Sequence, residues 1–397
     1  MRRYRFMPFL LSIVFLVISI TVVSEENNHK VKAVNTATFD EISEDMKGIW
    51  VSYITLDMQN SDKSEDAFKS KIEEIINTSK ESGFNTLIVQ VRPFCDALYK
   101  SSYYPWSHTL TGTQGENPLY DPLEIMCDMC HDNGLKIHAW INPYRVSSSE
   151  TPSQLSDDNP YTKDPTIGFE HNGNIYLDPS NQKAVSLIVN GVTEIVRKYD
   201  VDGIQFDDYF YPENSDNTDD DIYRIYAENE DTPLSKEEWR AQNVNTMIQK
   251  VYQAIHKNSD KIVFGISPQG NISNNMALGA DVKKWCENKG YIDYICPQIY
   301  FSLDNPALSF EDSLDQWLNI NAHKDLRLYI GLAGYKGGTD EDEGTWLDND
   351  DILKNEIEIC QEKGTDGIIL YSYECFSNDT NEAEIRNVAN YLTGITQ

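Results

Sequence analysis

Asp207 and Asp208 stand side by side at the end of a strand-like run, VDGIQFDDYFYP (201–212), and three aromatic residues follow at once. Two carboxylates this close repel one another, so ionisation of one raises the proton affinity of the other. One group can then donate a proton while its neighbour stays charged, the division of labour that acid-catalysed bond cleavage requires. The structural alternative is that the pair caps the next segment or pairs with Arg92 or Arg145. The surrounding aromatics point to a class of molecule. Sugar rings present apolar faces that stack on Tyr and Trp, while their hydroxyls need polar partners. Tyr103, Tyr104, Trp106, Trp140, Tyr144, Tyr209, Tyr300, Tyr335 and Trp346 all fall at or just beyond strand-like segments, and their interleaving with carboxylates favours carbohydrate.

Elements that could position these residues alternate regularly along the chain. Strands are predicted to begin near Gly48, Phe84, Leu135, Asp202, Ile262, Tyr291, Leu326 and Asp366, eight in all. Helical signals fill the gaps: Phe68, Ile72, Ile75 and Ile76 at helical spacing, Asp–Pro starts at 121–122 and 178–179, and a capping box from Ser235 to Glu238. Strand and helix alternating to a count of eight predict a single-domain α/β fold, a (β/α)8 TIM barrel. A doubly wound sheet shares the alternation, but no glycine-rich phosphate loop follows the first strand. Three connections, 93–120, 146–176 and 209–234, exceed ordinary lengths, which places long loops after strands 2, 3 and 4.

A barrel builds its site at the carboxyl ends of its strands. Period-two alternation puts Gln205 and Asp207 inside, with Ile204 and Phe206 facing the helices. The same exercise gives Arg92 after Gln90, Asn142 after His138 and Trp140, Ser267 after Gly265, Tyr300 after Gln298, and Glu374 after Ser372. Expected substrate-binding residues are therefore Arg92, His138, Trp140, Asn142, Tyr144, Tyr209, Ser267, Gln298 and Tyr300. A barrel interior built only for stability would carry branched apolar side chains, so this polar ring calls for a ligand.

Composition narrows the partners. Lys and Arg number 33 against 64 Asp and Glu, a net charge of −31, which argues against nucleic acid and other polyanions as partners, because such a surface repels their phosphates. Arg2, Arg3 and Arg5 precede an almost uncharged run, Met7 to Val23, the pattern of an export signal ending at residue 24. An uncleaved anchor that tethers the protein to the membrane is the alternative. Residues 25–46 read as a linker and 47–397 as the catalytic domain. The seven cysteines are too sparse for a disulfide scaffold. Cys127, Cys130 and His131 lack a second pair of metal ligands, so no metal or other cofactor is expected. The acidic loops 216–221 and 340–343 have no recognised calcium-loop spacing.

Six motifs in order, GIWVSY, FNTLIVQVRP, LKIHAWINPYR, DGIQFDDYFYP, GISPQGN and DYICPQIYF, resemble the glycosyl-hydrolase-like family 10, exported bacterial barrel proteins. The resemblance runs from about Lys47 to Tyr391. It implies a (β/α)8 fold and hydrolysis of glycosidic bonds, with cell-wall glycan as the associated substrate. Asp207 and Asp208 match the motif expected to hold the catalytic acid, whereas Glu374 rests on its position alone as the second carboxylate. A non-catalytic carbohydrate-binding barrel would need the aromatics but not the carboxylate pair. A metal-dependent deacetylase would need histidines paired on a metal, and the seven histidines are scattered.

Overall fold

The computed structural model describes residues 45–395 except 149, 150, 214, 216 and 348. The expected export signal and most of the linker lie outside the described residues. Among the described residues no helix is long and apolar enough to cross a membrane.

Eleven strands occur among the described residues: β1 (Met46–Val51), β2 (Thr86–Arg92), β3 (Lys136–Ile141), β4 (Arg145–Ser147), β5 (Gly168–His171), β6 (Asn174–Leu177), β7 (Gly203–Phe206), β8 (Val263–Ile266), β9 (Tyr294–Ile295), β10 (Arg327–Ala333) and β11 (Gly367–Tyr371). Eight of them close into a parallel barrel in the order β1-β11-β10-β9-β8-β7-β3-β2, as the alternation predicts. Eight principal helices follow the barrel strands: α1 (Glu65–Glu81), α2 (Pro122–Asp132), α3 (Gln182–Lys198), α4 (Lys236–Asn258), α5 (Val282–Glu287), α6 (Phe310–Leu318), α7 (Ile352–Glu362) and α8 (Glu382–Thr393). The predicted capping box opens α4, with Ser235 and Glu238 each accepting from the other's backbone N–H.

Strand alternation divides the core in two. Outward residues such as Ile49, Leu87, Ile137, Ile204 and Phe264 pack against the helices. Inward residues Trp50, Ile88, Trp140, Tyr294, Cys296 and Ile369 form a separate cluster in the barrel. Large rings fit there because two strands carry glycine opposite them. A Cβ on Gly265 would lie 2.1 Å from the Tyr294 ring, and one on Gly203 would lie 2.6 Å from His138. The sixth barrel strand is only two residues long because Pro297 has no N–H for the ladder, and Gln298 resumes contact by bridging Gln269 and Gly331.

Long connections follow β2, β3 and β7, as expected. The one after β3 is not plain loop, because β4, β6 and β5 form a three-stranded antiparallel sheet within it. Its hairpin turns at Asn172 and Gly173, with φ of 50° and 79°, between the paired residues His171 and Asn174. An Asn-Gly pair adopting positive φ at both positions is the signal for a two-residue hairpin.

Candidate active site

The strand ends enclose a pocket of about 200 Å³ lined by Asp207, Asp208, Gln205, Ser267 and Gln298 and walled by aromatic rings. Asp207 is 4% exposed, and its Oδ2 accepts a hydrogen bond from Trp140 Nε1 at 2.9 Å. Asp208, partly buried, accepts through Oδ1 from Gln298 Nε2 at 3.2 Å, and the same amide nitrogen donates to Ser267 O at 2.9 Å. Gln298 is thereby fixed in the orientation that presents a donor to the carboxylate.

Tyr371 organises the aromatic wall, meeting Trp50 edge-on at 5.8 Å, Tyr335 edge-on at 6.1 Å and Tyr300 at a tilt at 5.7 Å. Burial pushes the Asp207 carboxyl up to about 7, with the charge of Asp208 adding to the rise and Arg145 opposing it. Burial also raises Asp208, against the hydrogen bond from Gln298. Both carboxyls are thus held above the usual carboxylate range, and the charge on one bears on the titration of the other.

Of the expected binding residues, Trp140, Tyr209, Ser267, Gln298 and Tyr300 line this pocket. Arg92, His138, Asn142 and Tyr144 do not. The pairing of β2 with β3 shifts register between Gln90 and Arg92, which breaks the alternation on which Arg92 was placed. Arg92 is buried instead, donating to Asn142 O and Pro143 O with its guanidinium 4.6 Å from the Tyr104 ring centroid. Asn142 Oδ1 accepts from Tyr144 N and Arg145 N and so shapes the turn after β3. Tyr144 is buried edge-on to Phe210. His138 lies in the barrel interior against the Tyr294 hydroxyl at 3.0 Å, and burial pulls its imidazole down to about 4, so it stays neutral.

Glu374 also lies outside the pocket lining. In β11 the inward residues are Ile369 and Tyr371, one step out of phase with Ser372 and Glu374, so the eighth strand contributes a tyrosine to the wall. Burial alone would raise Glu374, but hydroxyls of Ser372, Ser52 and Thr55 donate to its carboxylate and hold it below the usual range.

Trp50 and Tyr371 went unassigned from sequence, and Arg145 was named only as a structural partner for the Asp pair. Alternation along GIWVSY and GIILY marks the first two; only the fold brings the third to the pocket. Arg145 stacks between Phe94 at 4.4 Å and Tyr209 at 5.4 Å, and its charge reaches Asp207 and Tyr371.

The acidic loops are tied to cations of the chain. Asp219 pairs with Arg240 at 2.6 Å, and Asp342 with Lys336 at 3.0 Å. Among the described residues no group of three or more His, Cys, Asp or Glu side chains could hold a metal ion.

Residues 45–348 match the glycosyl hydrolase-like 10 family. The chain belongs to that family. It is 33% identical over 333 residues to the glycosyl hydrolase YngK of Bacillus subtilis, covering 78% of this chain but 64% of that protein. It is 33% identical over 361 residues to the glycosyl hydrolase DigH of Escherichia coli K12, covering 81% of each. Among solved structures, the glycoside hydrolase domain of PgaB (BpsB) from Bordetella bronchiseptica superposes with a TM-score of 0.57 at 11% identity, over 87% of this chain and 99% of that one. Alpha-L-fucosidase isoenzyme 2 from Paenibacillus thiaminolyticus gives 0.54 at 14% identity, over 88% and 49%. At such identities these two show the shared barrel fold.

Proposed function

We propose that the protein is an exported glycoside hydrolase that cleaves glycosidic bonds in bacterial cell-wall glycan by carboxylate acid/base catalysis. The observation that carries this reading is the Asp207–Asp208 pair, both carboxyls raised by burial, inside an aromatic-walled pocket at the carboxyl end of the barrel. Asp208 also lines the pocket next door, so a bond joining sugars in the two pockets would lie over its carboxylate. Asp208 is the general acid that protonates the leaving oxygen; once that sugar has left, its carboxylate takes the proton of the water that attacks the anomeric carbon, which restores the acid. Asp207, fixed by Trp140, stabilises in its ionised form the positive charge developing on the sugar ring. The arginine-led apolar segment at the N-terminus supports export, and export supports a wall substrate.

The test is incubation with peptide-free wall glycan and identification of the products by mass. Asp207→Asn and Asp208→Asn should fold normally, and Asp208→Asn should lose roughly 100-fold or more in rate, the scale of a positioned acid. An aryl glycoside whose leaving group needs no protonation should restore Asp208→Asn and not Asp207→Asn. Full activity in both variants would overturn the assignment. Binding without cleavage by the parent protein would make it a carbohydrate-binding barrel.

A further inference from the structure

A second pocket, of about 340 Å³, adjoins the first and shares Asp208 and Tyr209 with it as a common wall. Its far side is the β5–β6 hairpin, contributing His171, Asn172, Asn174 and Tyr176, and its floor includes Gln269 and Leu278. The walls are pinned together. His171 at the hairpin tip is hydrogen-bonded through Nδ1 to Thr218 Oγ1 at 3.0 Å and through Nε2 to Glu213 O at 3.1 Å. The hairpin is thus anchored to the chain that follows β7, and the space is formed before any ligand arrives. Beyond it, Pro212, Glu213, Gln269 and Leu278 are shared again with a third pocket of about 410 Å³. The three form one trough that starts in the barrel and runs out beneath the hairpin.

We propose that this trough is a binding site for the sugar units that follow the one in the barrel pocket, the first of them an uncharged pyranose under the β5–β6 hairpin. The proposal rests on the hydrolase reading for the position of the cleaved bond and goes beyond it in assigning the hairpin a ligand. Three features fit a sugar. Tyr209, 51% exposed and lining both pockets, offers a ring face where consecutive sugars meet. Side-chain amides and the Tyr176 and Tyr211 rings supply the mixture of hydrogen bonding and apolar contact that a pyranose uses. Among the described residues, the compartment is lined by the Glu213 carboxylate and the Asp208 carboxyl, with no Lys or Arg to offset the charge of an anionic substituent.

Chain length tests this. Peptide-free wall glycan fragments of two, four and six sugars are titrated calorimetrically into the Asp208→Asn protein, and their hydrolysis by the parent protein is timed in parallel. Affinity and kcat/KM should rise about tenfold from two sugars to four, the scale of one good aromatic contact with its hydrogen bonds. Filling the compartment with Asn174→Trp should abolish that gain, and Leu278→Trp should do the same from the opposite side, so that misfolding of either variant leaves a second reading. Binding and cleavage that ignore chain length, or a gain that survives in both folded variants, would overturn the trough. Length-dependent binding without cleavage would leave the trough in place and overturn the hydrolase reading, whereas length-independent cleavage would do the reverse.

Discussion

Adjacent carboxylates would be a defect in most interiors, because burial and mutual repulsion both oppose their charge. At the mouth of this barrel their neighbours divide the burden. Trp140 and the Tyr209 backbone donate to Asp207, Gln298 donates to Asp208, and Arg145 contributes a positive charge from between two rings. The charge of Arg145 lowers the proton affinity of Asp207, so Arg145→Gln should leave the proton on the pair to higher pH. The alkaline limb of the kcat/KM profile should then move up by about half a unit to one unit, the range for one nearby charge partly screened by solvent. An unmoved limb with a lower melting temperature would reduce Arg145 to loop packing. No sequence rule distinguishes Arg145 from Arg92, since both fall at or shortly beyond the end of a barrel strand. The difference comes from the bulge in β2, which turns Arg92 into the protein, and from β4, which pairs Arg145 beside Tyr176 at the edge of the trough.

Among elements, the last two helices show how packing completes what local sequence leaves open. Asp351 at the start of α7 makes no side-chain capping bond. Glu384 of α8 supplies the acceptors instead, taking Ile352 N at 2.8 Å and Leu353 N at 3.1 Å. Burial pushes its carboxyl up to about 7, against those two bonds. Glu384→Ala should cost about 1–3 kcal/mol, the penalty for stranding buried donors, measured by denaturant unfolding, and Glu384→Gln should lose less because it keeps an acceptor. Equal stability of the Ala variant would mean that water caps α7 unaided. The eight barrel strands were legible because strands covered by helices are apolar runs bounded by turn residues, and the helices because their buried faces repeat with helical spacing. The phase of β11 was not. Ser372 and Glu374 look like inward residues only if Ile368 and Leu370 face inward as well, whereas Ile369 and Tyr371 do, and past Tyr371 the strand ends and the chain enters a 3-10 turn over Tyr373–Ser377. The β5–β6 hairpin was legible in principle from Asn172-Gly173, but its place beside Asp208 depends on the closure of the barrel.

At the scale of the whole molecule, net charge governs how a substrate approaches. The first 44 residues contain five Lys or Arg and five Asp or Glu, 5 − 5 = 0, so the net −31 belongs to the barrel domain. A field of that sign acts on substrates over about 10 Å at 0.1 M ionic strength and roughly three times as far at 0.01 M. Wall glycan carrying free carboxylates therefore approaches against repulsion, and added salt should help it. We expect kcat/KM on such glycan to rise severalfold between about 0.01 and 0.15 M sodium chloride, because screening removes a barrier to encounter. On uncharged N-acetylglucosamine oligomers of equal length the rate should stay flat over the same range, since there is no long-range repulsion to screen. The contrast separates the field of the molecule from local contacts in the site, which salt affects alike for both substrates. A fall in rate with salt on the carboxylated glycan would show that local attraction, with Arg145 the nearest candidate, outweighs the net charge of the barrel at the point of capture.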